Sequence, residues 1–552
     1  MWLINTTTIA LEVKNVSSTP YAILSHTWGD DEVTFEDMMT GQEKGKKGYV
    51  KIIHTCRLAK ERGIAYAWVD TCCVDKRSSA ELAEAINSMF NWYKLSEVCF
   101  SHLEDLESHR GPQDDQIPGL SSCRWFTRGW TLQELIASRN LEFYDSAWNY
   151  RGTKAGLRGR ISGITGIDIA VLEDNAILET IPVAKRMSWA ADRETTRVED
   201  LAYCLLGIFG VNMPMLYGEG TKAFGRLQEE IIKETTDLSI FAWKANLWVG
   251  RPLREVRPQG FRGILASSPS EFVHCKNLRR TSTMRYGYEY SMTNKGLRLE
   301  TFLGESVNKE YVLNLACEIT QTYGFFTKRK VGVYLTKTAD GFVRSRPHEL
   351  FETHDSLLWA GPRHKIFIRK QVTPFGSTDL ARRLEMNIAS QFNICPGFKL
   401  VSFAAKPADL WDTLRQEFVT DGSEQFTGFL NFQLADNAKT FMYRIYVVCG
   451  LEMNPWSGDL QPWMSIYNST DKEYPDIVGC VDGYYSSYGE EYYLHKLRDY
   501  VLSRDEVGKN GRPQEISILS SDAAHRLHIS LRALQRSSDS SHTITVNIWN
   551  SG

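Results

Sequence analysis

The chain reads as an α/β domain on a flavodoxin-like, doubly wound parallel sheet, followed by a helical extension and then a β-rich region. Three observations predict this. Short apolar runs alternate with helical periodicities over the first 150 residues, helical spacing alone fills 180–243, and period-two patterning begins near Gly250. The expected units are 1–150, 151–245 packing on it, and 246–552, the last an antiparallel, sandwich-like region.

Tyr21 to Ser25 is an apolar run that ends in polar residues and Gly29, the pattern of a strand entering a loop. Ile52, Ile53, Cys56 and Ala59 then recur at helical spacing, with Gly63 placed for a left-handed cap. Ile64 to Val69 is continuously apolar, as a strand buried on both faces requires. Ser78 and Glu81 form a capping box ahead of Leu82, Ala85, Ile86, Met89, Phe90 and Tyr93 on one helix face. Val98 to Phe100 reads as a third strand, Leu103 to Ser122 as a long loop, Trp130 to Ala137 as a short helix and Leu141 to Tyr144 as a fourth strand.

Further on, Thr196 and Glu199 suggest a capping box before Leu201, Leu205 and Ile208, and Ala223, Phe224, Leu227 and Ile231 mark a second amphipathic helix. Alternation at Leu297/Leu299, Tyr311 to Ile319, Leu527/Ile529/Leu531 and Ile544/Val546/Ile548 predicts strands, with Asp340-Gly341 as a hairpin turn. Tyr484, Tyr485, Tyr488, Tyr492 and Tyr493 form a tyrosine-rich segment suited either to a ligand or to a core.

Composition narrows the function classes. With 552 residues, 42% hydrophobic and 24% charged, the chain can bury several cores. A net charge of -3 without a Lys/Arg run argues against nucleic acid as a partner. The N-terminus lacks a basic n-region, and the longest apolar stretch, around Cys204 to Leu216, is interrupted by Gly207, Gly210, Asn212 and Pro214. A cytoplasmic protein without a membrane span is expected, its eleven cysteines reduced.

In a parallel sheet, ligands bind beyond the carboxyl ends of the strands. Ser25, His26 and Trp28 follow the first strand, while Asp70, Thr71, Cys72 and Cys73 follow the second. Glu134 is a carboxylate set in an apolar helix. His26 with Cys72 or Cys73 invites a thiol-protease reading, but no supporting signature accompanies it, and the His and Cys spacing is not that of a metal site. Arg124 and Arg128 either hold a pyrophosphate or make surface ion pairs.

The ordered blocks YAILSHTWG, WVDTCCVDK, AELAEAINSMFNWY and RWFTRGWTLQELIA, between Tyr21 and Trp148, closely resemble the HET (heterokaryon incompatibility) domain of filamentous fungi. The block from Met187 through Asp200 to Gly220 also looks like the region that follows this domain. The resemblance implies fungal non-self recognition and programmed cell death, with an incompatibility partner protein. Trp130 to Leu135 further resembles the W-C-x-x-E-L motif of TIR domains, with Thr131 in place of the Cys. That likeness implies a TIR-like fold, self-association, and hydrolysis of NAD at the nicotinamide-ribose bond with Glu134 catalytic.

Such cleavage develops an oxocarbenium-like charge that one carboxylate stabilises, and nicotinamide leaves neutral, so no leaving-group acid is needed. The NAD-binding candidates are Ser25, His26, Trp28, Asp70, Cys73 and Trp130, with Trp28 as a surface for the ring. NAD enters as substrate; no cofactor or metal is expected. Asp70 either holds a ribose hydroxyl or orders its loop, and Glu134 either catalyses or is a solvent-facing helix residue. The alternative function is a non-enzymatic module that signals death by self-association.

Overall fold

The four apolar runs of the N-terminal region form the centre of a seven-stranded sheet. The computed structural model describes residues 1–108, 117–246, 260–281, 289–323, 325–355, 363–423, 425–436, 442–453, 460–468, 490–503, 508–509, 514–519, 526–535 and 542–550. The strands are β1 (Trp2–Asn5), β2 (Leu11–Val13), β3 (Ala22–His26), β4 (Tyr66–Trp68), β5 (Val98–His102), β6 (Leu141–Tyr144) and β7 (Tyr150–Thr153), in the order β2-β1-β4-β3-β5-β6-β7.

Only β4, β3, β5 and β6 run parallel; β1, β2 and β7 are antiparallel at the two edges, so the sheet is mixed rather than wholly parallel. Taken in chain order, the parallel strands lie 2-1-3-4, and the order reverses between β3 and β5. A crevice opens at such a reversal because the chain leaves the two adjacent strands toward opposite faces.

Helices α1 (Phe35–Thr40), α2 (Tyr49–Glu61), α3 (Ser79–Leu95) and α4 (Trp130–Ala137) fill the connections. Ser78 caps α3 by accepting from Glu81 N, but the Glu81 carboxylate accepts from Asp75 N instead of closing the box. The second expected box is also absent. Two short helices, Asp200–Tyr203 and Leu206–Phe209, replace the single helix read there, and Glu199 instead receives Gly218 N at 2.8 Å and Gly220 N at 3.0 Å. The amphipathic helix Lys222–Glu234 forms as expected.

Beyond it lie a ten-stranded, a six-stranded and a five-stranded sheet, nearly all antiparallel. Gly341, at φ 128°, ends the turn between Phe325–Thr338 and Gly341–Ser345, as the Asp340-Gly341 signal predicts. Buried residues of the six- and five-stranded sheets, among them Ile388, Phe432, Val447 and Val546, share one apolar cluster, so the two sheets face each other. Helix Glu490–Leu502 covers the outer face of the five-stranded sheet with Leu497 and Val501. Tyr484, Tyr485 and Tyr488 lie outside the described residues.

One buried apolar cluster runs from Leu3 through the helical extension to Ile368 in the ten-stranded sheet. Arg344 ties the last two together: fully buried, it donates to the Phe241 carbonyl at 2.9 Å and the Trp243 carbonyl at 2.5 Å while lying 3.7 Å over the Trp243 ring. Among the described residues no helix is long and apolar enough to cross a membrane.

Candidate functional site

All five residues of β3 are buried, so its last side chains are placed by the sheet rather than by solvent. Ser25 faces α4, where every residue after Trp130 is buried. The Ser25 hydroxyl donates to Glu134 Oε2 and accepts from the Trp125 indole at 2.8 Å. Glu134 is 5% exposed, not solvent-facing, because α4 is enclosed on all sides, and it has no ion-pair partner among the described residues. Burial pushes its carboxyl up to about 8 and the charge of Asp70 adds to this, while Ser25, Tyr93 and the Arg193 guanidinium oppose it. At neutral pH Glu134 is therefore mostly protonated.

Both ends of α4 are pinned by cations. Lys154 donates to the carbonyls of Leu135, at 3.2 Å, and Ser138, where the helix dipole favours a positive charge. At the start, Arg193 donates to Thr131 Oγ1 at 3.0 Å and the Arg128 carbonyl at 2.7 Å.

Asp70 follows β4 and accepts the Trp28 indole N–H at 2.9 Å. The Trp28 ring is 49% exposed, and the Lys76 ammonium stands 3.6 Å from its centroid. His26 lies beneath, with Nδ1 3.9 Å from Asp70 Oδ1 and Nε2 3.8 Å from Glu32 Oε2. Burial pulls its imidazole down to about 3, so it is neutral and neither contact is an ion pair. Both ring nitrogens and Asp70 Oδ1 lack a hydrogen-bond partner among the described residues.

A cleft of about 440 Å³ opens where the strand order reverses, lined by Thr27 to Glu32, Lys47, Gly48, Lys51, Glu104, Asp105 and Arg124. Its acids are largely answered internally. Lys51 pairs with Glu32 at 2.5 Å and Glu104 at 3.6 Å, and Lys46 with Asp31 at 3.6 Å. Arg124 donates to the Trp28 carbonyl at 2.7 Å, and Arg128 to Thr196 Oγ1 at 3.0 Å; among the described residues neither makes the surface ion pair that sequence reasoning offered.

The structure thus gathers Ser25, His26, Trp28, Asp70 and Glu134 at the carboxyl ends of β3 and β4. Of these only Trp28 lines the cleft; Ser25, His26, Asp70 and Glu134 do not, and Glu134 lies beneath Ser25 and Trp125. Cys73 and Trp130 stand apart. Cys73 is buried, and its sulfur accepts from Val69 N at 3.4 Å; Trp130 is half-buried and lies toward Asp200 of the helical extension. Sequence reasoning missed Tyr93, Lys51 and Arg193. Tyr93 carried a signal, since it sits on the apolar face of α3, but a core ring and a site hydroxyl look alike in sequence. The ten cysteines among the described residues are all free, and no group of them with His, Asp or Glu is placed to hold a metal.

Residues 21–120 match the family model described as heterokaryon incompatibility protein (HET), so this part of the chain is a HET domain; Glu134 lies outside the matched span. Residues 222–302 match a domain of unknown function, DUF8212. The chain is similar to Vegetative incompatibility protein HET-E-1 of Podospora anserina, 45% identical over 221 residues, which is 39% of this chain. It spans 16% of the length of that relative. No solved structure matches the chain.

Proposed function

We propose that this chain is an effector of vegetative incompatibility and programmed cell death in the cytoplasm, whose TIR-like HET domain hydrolyses NAD at the nicotinamide-ribose bond. The observation that carries the reading is Glu134, a carboxyl without a cationic ion-pair partner among the described residues, hydrogen-bonded to Ser25 where the parallel strands change order. In the reaction the glycosidic bond breaks, nicotinamide departs with the electron pair, and water adds to the ribosyl cation with loss of a proton. The ionised Glu134 carboxylate stabilises that cation, and the positive charge of the bound nicotinamide-ribose favours ionisation.

Trp28 offers a ring face, and once the site opens the buried, unpartnered Asp70 Oδ1 offers an acceptor for a ribose hydroxyl and neutral His26 one donor and one acceptor. For Glu134 to reach the substrate, the Ser25 hydroxyl must turn aside. An incompatibility partner and self-association are the natural triggers for that step. Purified protein, tested alone and after induced assembly, is expected to release nicotinamide from NAD, and Glu134→Gln to abolish release. Equal turnover by both proteins sinks the assignment.

A second reading has its own observation. Glu134 is sealed from the cleft, as a structural acid would be, and this favours a module that signals by self-association. That reading expects Glu134→Gln to leave cell killing intact while substitutions that block association remove it.

A further inference from the structure

Arg193 belongs to the helical extension, in the loop after helix Val183–Ser188, yet its side chain ends inside the HET-domain sheet region. The chain on either side of it is stitched to the approach to α4: Glu194 N donates to the Thr127 carbonyl at 2.7 Å and Gly129 N to the Glu194 carbonyl at 2.9 Å. A Cβ on Gly129 would stand 2.5 Å from Thr195 Cγ2, so the close approach requires glycine there.

Arg193 itself is 7% exposed, and its guanidinium donates to the carbonyls of Trp189, at 3.2 Å, and Arg128 and to Thr131 Oγ1. Among the described residues it enters no ion pair, and an unneutralised buried cation is costly. The acidic groups whose field reaches it are Glu134 and the Cys204 thiol, and burial pushes both up, so that the thiol stays protonated. Thr131 precedes Glu134 by one turn on the same face of α4, so the contact that anchors the guanidinium also directs its charge toward Glu134. From the other elements, Glu134 is faced by Asp70 after β4, Tyr93 on α3 and Cys99 on β5, with Lys154 beyond Cys99; of these only Asp70 carries a negative charge nearby.

We propose that Arg193 is a positioning residue for Glu134: it holds the first turn of α4 in place, and its charge eases the ionisation of Glu134 inside the protein. Its functional consequence rests on Glu134 being the working carboxylate; the coupling itself does not. A segment of the helical extension therefore completes the environment of Glu134, and displacing it raises the pH at which Glu134 ionises without touching the cleft.

The test reads Glu134 directly in the full-length chain. The C=O stretch of its protonated carboxyl, identified by its loss in Glu134→Gln, is followed by infrared spectroscopy against pH. Arg193→Gln, neutral but able to donate to the Arg128 carbonyl, is expected to move the midpoint upward by about one pH unit or more. Arg193→Met fills the same volume and is read in its place if Arg193→Gln does not melt cooperatively. Arg193→Lys, which keeps the charge, is expected to stay within about half a unit of the wild type. An unchanged midpoint in a folded neutral variant overturns the proposal, as does an equal shift in Arg193→Lys. A shifted midpoint in a protein that never cleaves NAD upholds the coupling and removes only the catalytic reading.

Discussion

Ser25 and Ser101 occupy paired positions on the adjacent parallel strands β3 and β5, yet only one of the two hydroxyls is used. Ser25 bonds to Glu134 and Trp125, whereas the buried Ser101 hydroxyl has no partner among the described residues.

Removing the two hydroxyls should therefore have opposite effects. Ser25→Ala leaves the buried Trp125 N–H unpaired and strips Glu134 of a donor, which costs about 2 kcal/mol. Ser101→Ala removes a hydroxyl that gave up water for nothing and is expected to be neutral or to gain up to about 1 kcal/mol. Denaturant unfolding of the two variants beside the wild type measures both; equal losses would show that packing, not hydrogen bonding, distinguishes the positions.

Glu134 gives the protein a pH signature. Below about pH 4.5 folded and unfolded chains both hold the proton, and the group contributes nothing. Between about 4.5 and 8 the unfolded chain releases it while the folded chain keeps it, so stability falls as pH rises and levels off above about 8. Glu134→Gln carries no such penalty. Its advantage over the wild type should be small at pH 5 and reach up to about 3 kcal/mol at pH 7, read as a melting temperature difference that grows with pH. If catalysis needs the ionised carboxylate, the same titration makes kcat/KM for NAD rise with pH up to about 8.

What was legible in the sequence was what local physics decides. Tyr21 to Ser25 and Ile64 to Val69 stood out because strands buried on both faces are continuously apolar, and α3 because a capping serine precedes a clean stripe. Leu11–Val13 escaped because a short, half-buried edge strand carries little pattern, and Trp2–Asn5 because a strand of four residues is too short to show a period. Glu199 shows the limit of motif reading: its spacing from Thr196 suits a cap, but two glycine N–H groups nearly twenty residues on claim it. Glu134 was visible as an acid among apolar residues. Arg193 was not, since the chain around it is charged and turn-like and its burial comes entirely from tertiary contacts.

Trp28 separates exposure from use. Its ring is 49% exposed and its hydrogen bond to Asp70 is at the surface, so Trp28→Ala should change stability by less than about 1 kcal/mol. If the ring receives the nicotinamide, quenching of tryptophan fluorescence by NAD disappears in this variant. Quenching that persists with unchanged affinity would place the ligand elsewhere.

Gly207 tests whether the helical extension is seated on the Glu134 platform. It lies in the helix Leu206–Phe209, where Ala ordinarily replaces Gly with a gain of about 1 kcal/mol. Here a Cβ would stand 2.1 Å from Phe90 Cβ and 2.5 Å from Phe90 Cγ on α3. Phe90 Cβ is fixed to its backbone and cannot swing away, so the helices must separate, at a cost of about 1–3 kcal/mol. The clash outweighs the propensity, and Gly207→Ala should destabilise. Gly163 is the control: it also sits within a helix, Lys154–Thr165, and a Cβ there meets nothing within 4 Å. Gly163→Ala should stabilise by about 0.5–1 kcal/mol. Because Leu206–Phe209 also touches α4, the Gly207 variant should carry a disturbed Glu134 titration, whereas the Gly163 variant should not. A destabilised Gly207→Ala protein whose Glu134 titrates normally would mean that the extension is packed beside the site without shaping it.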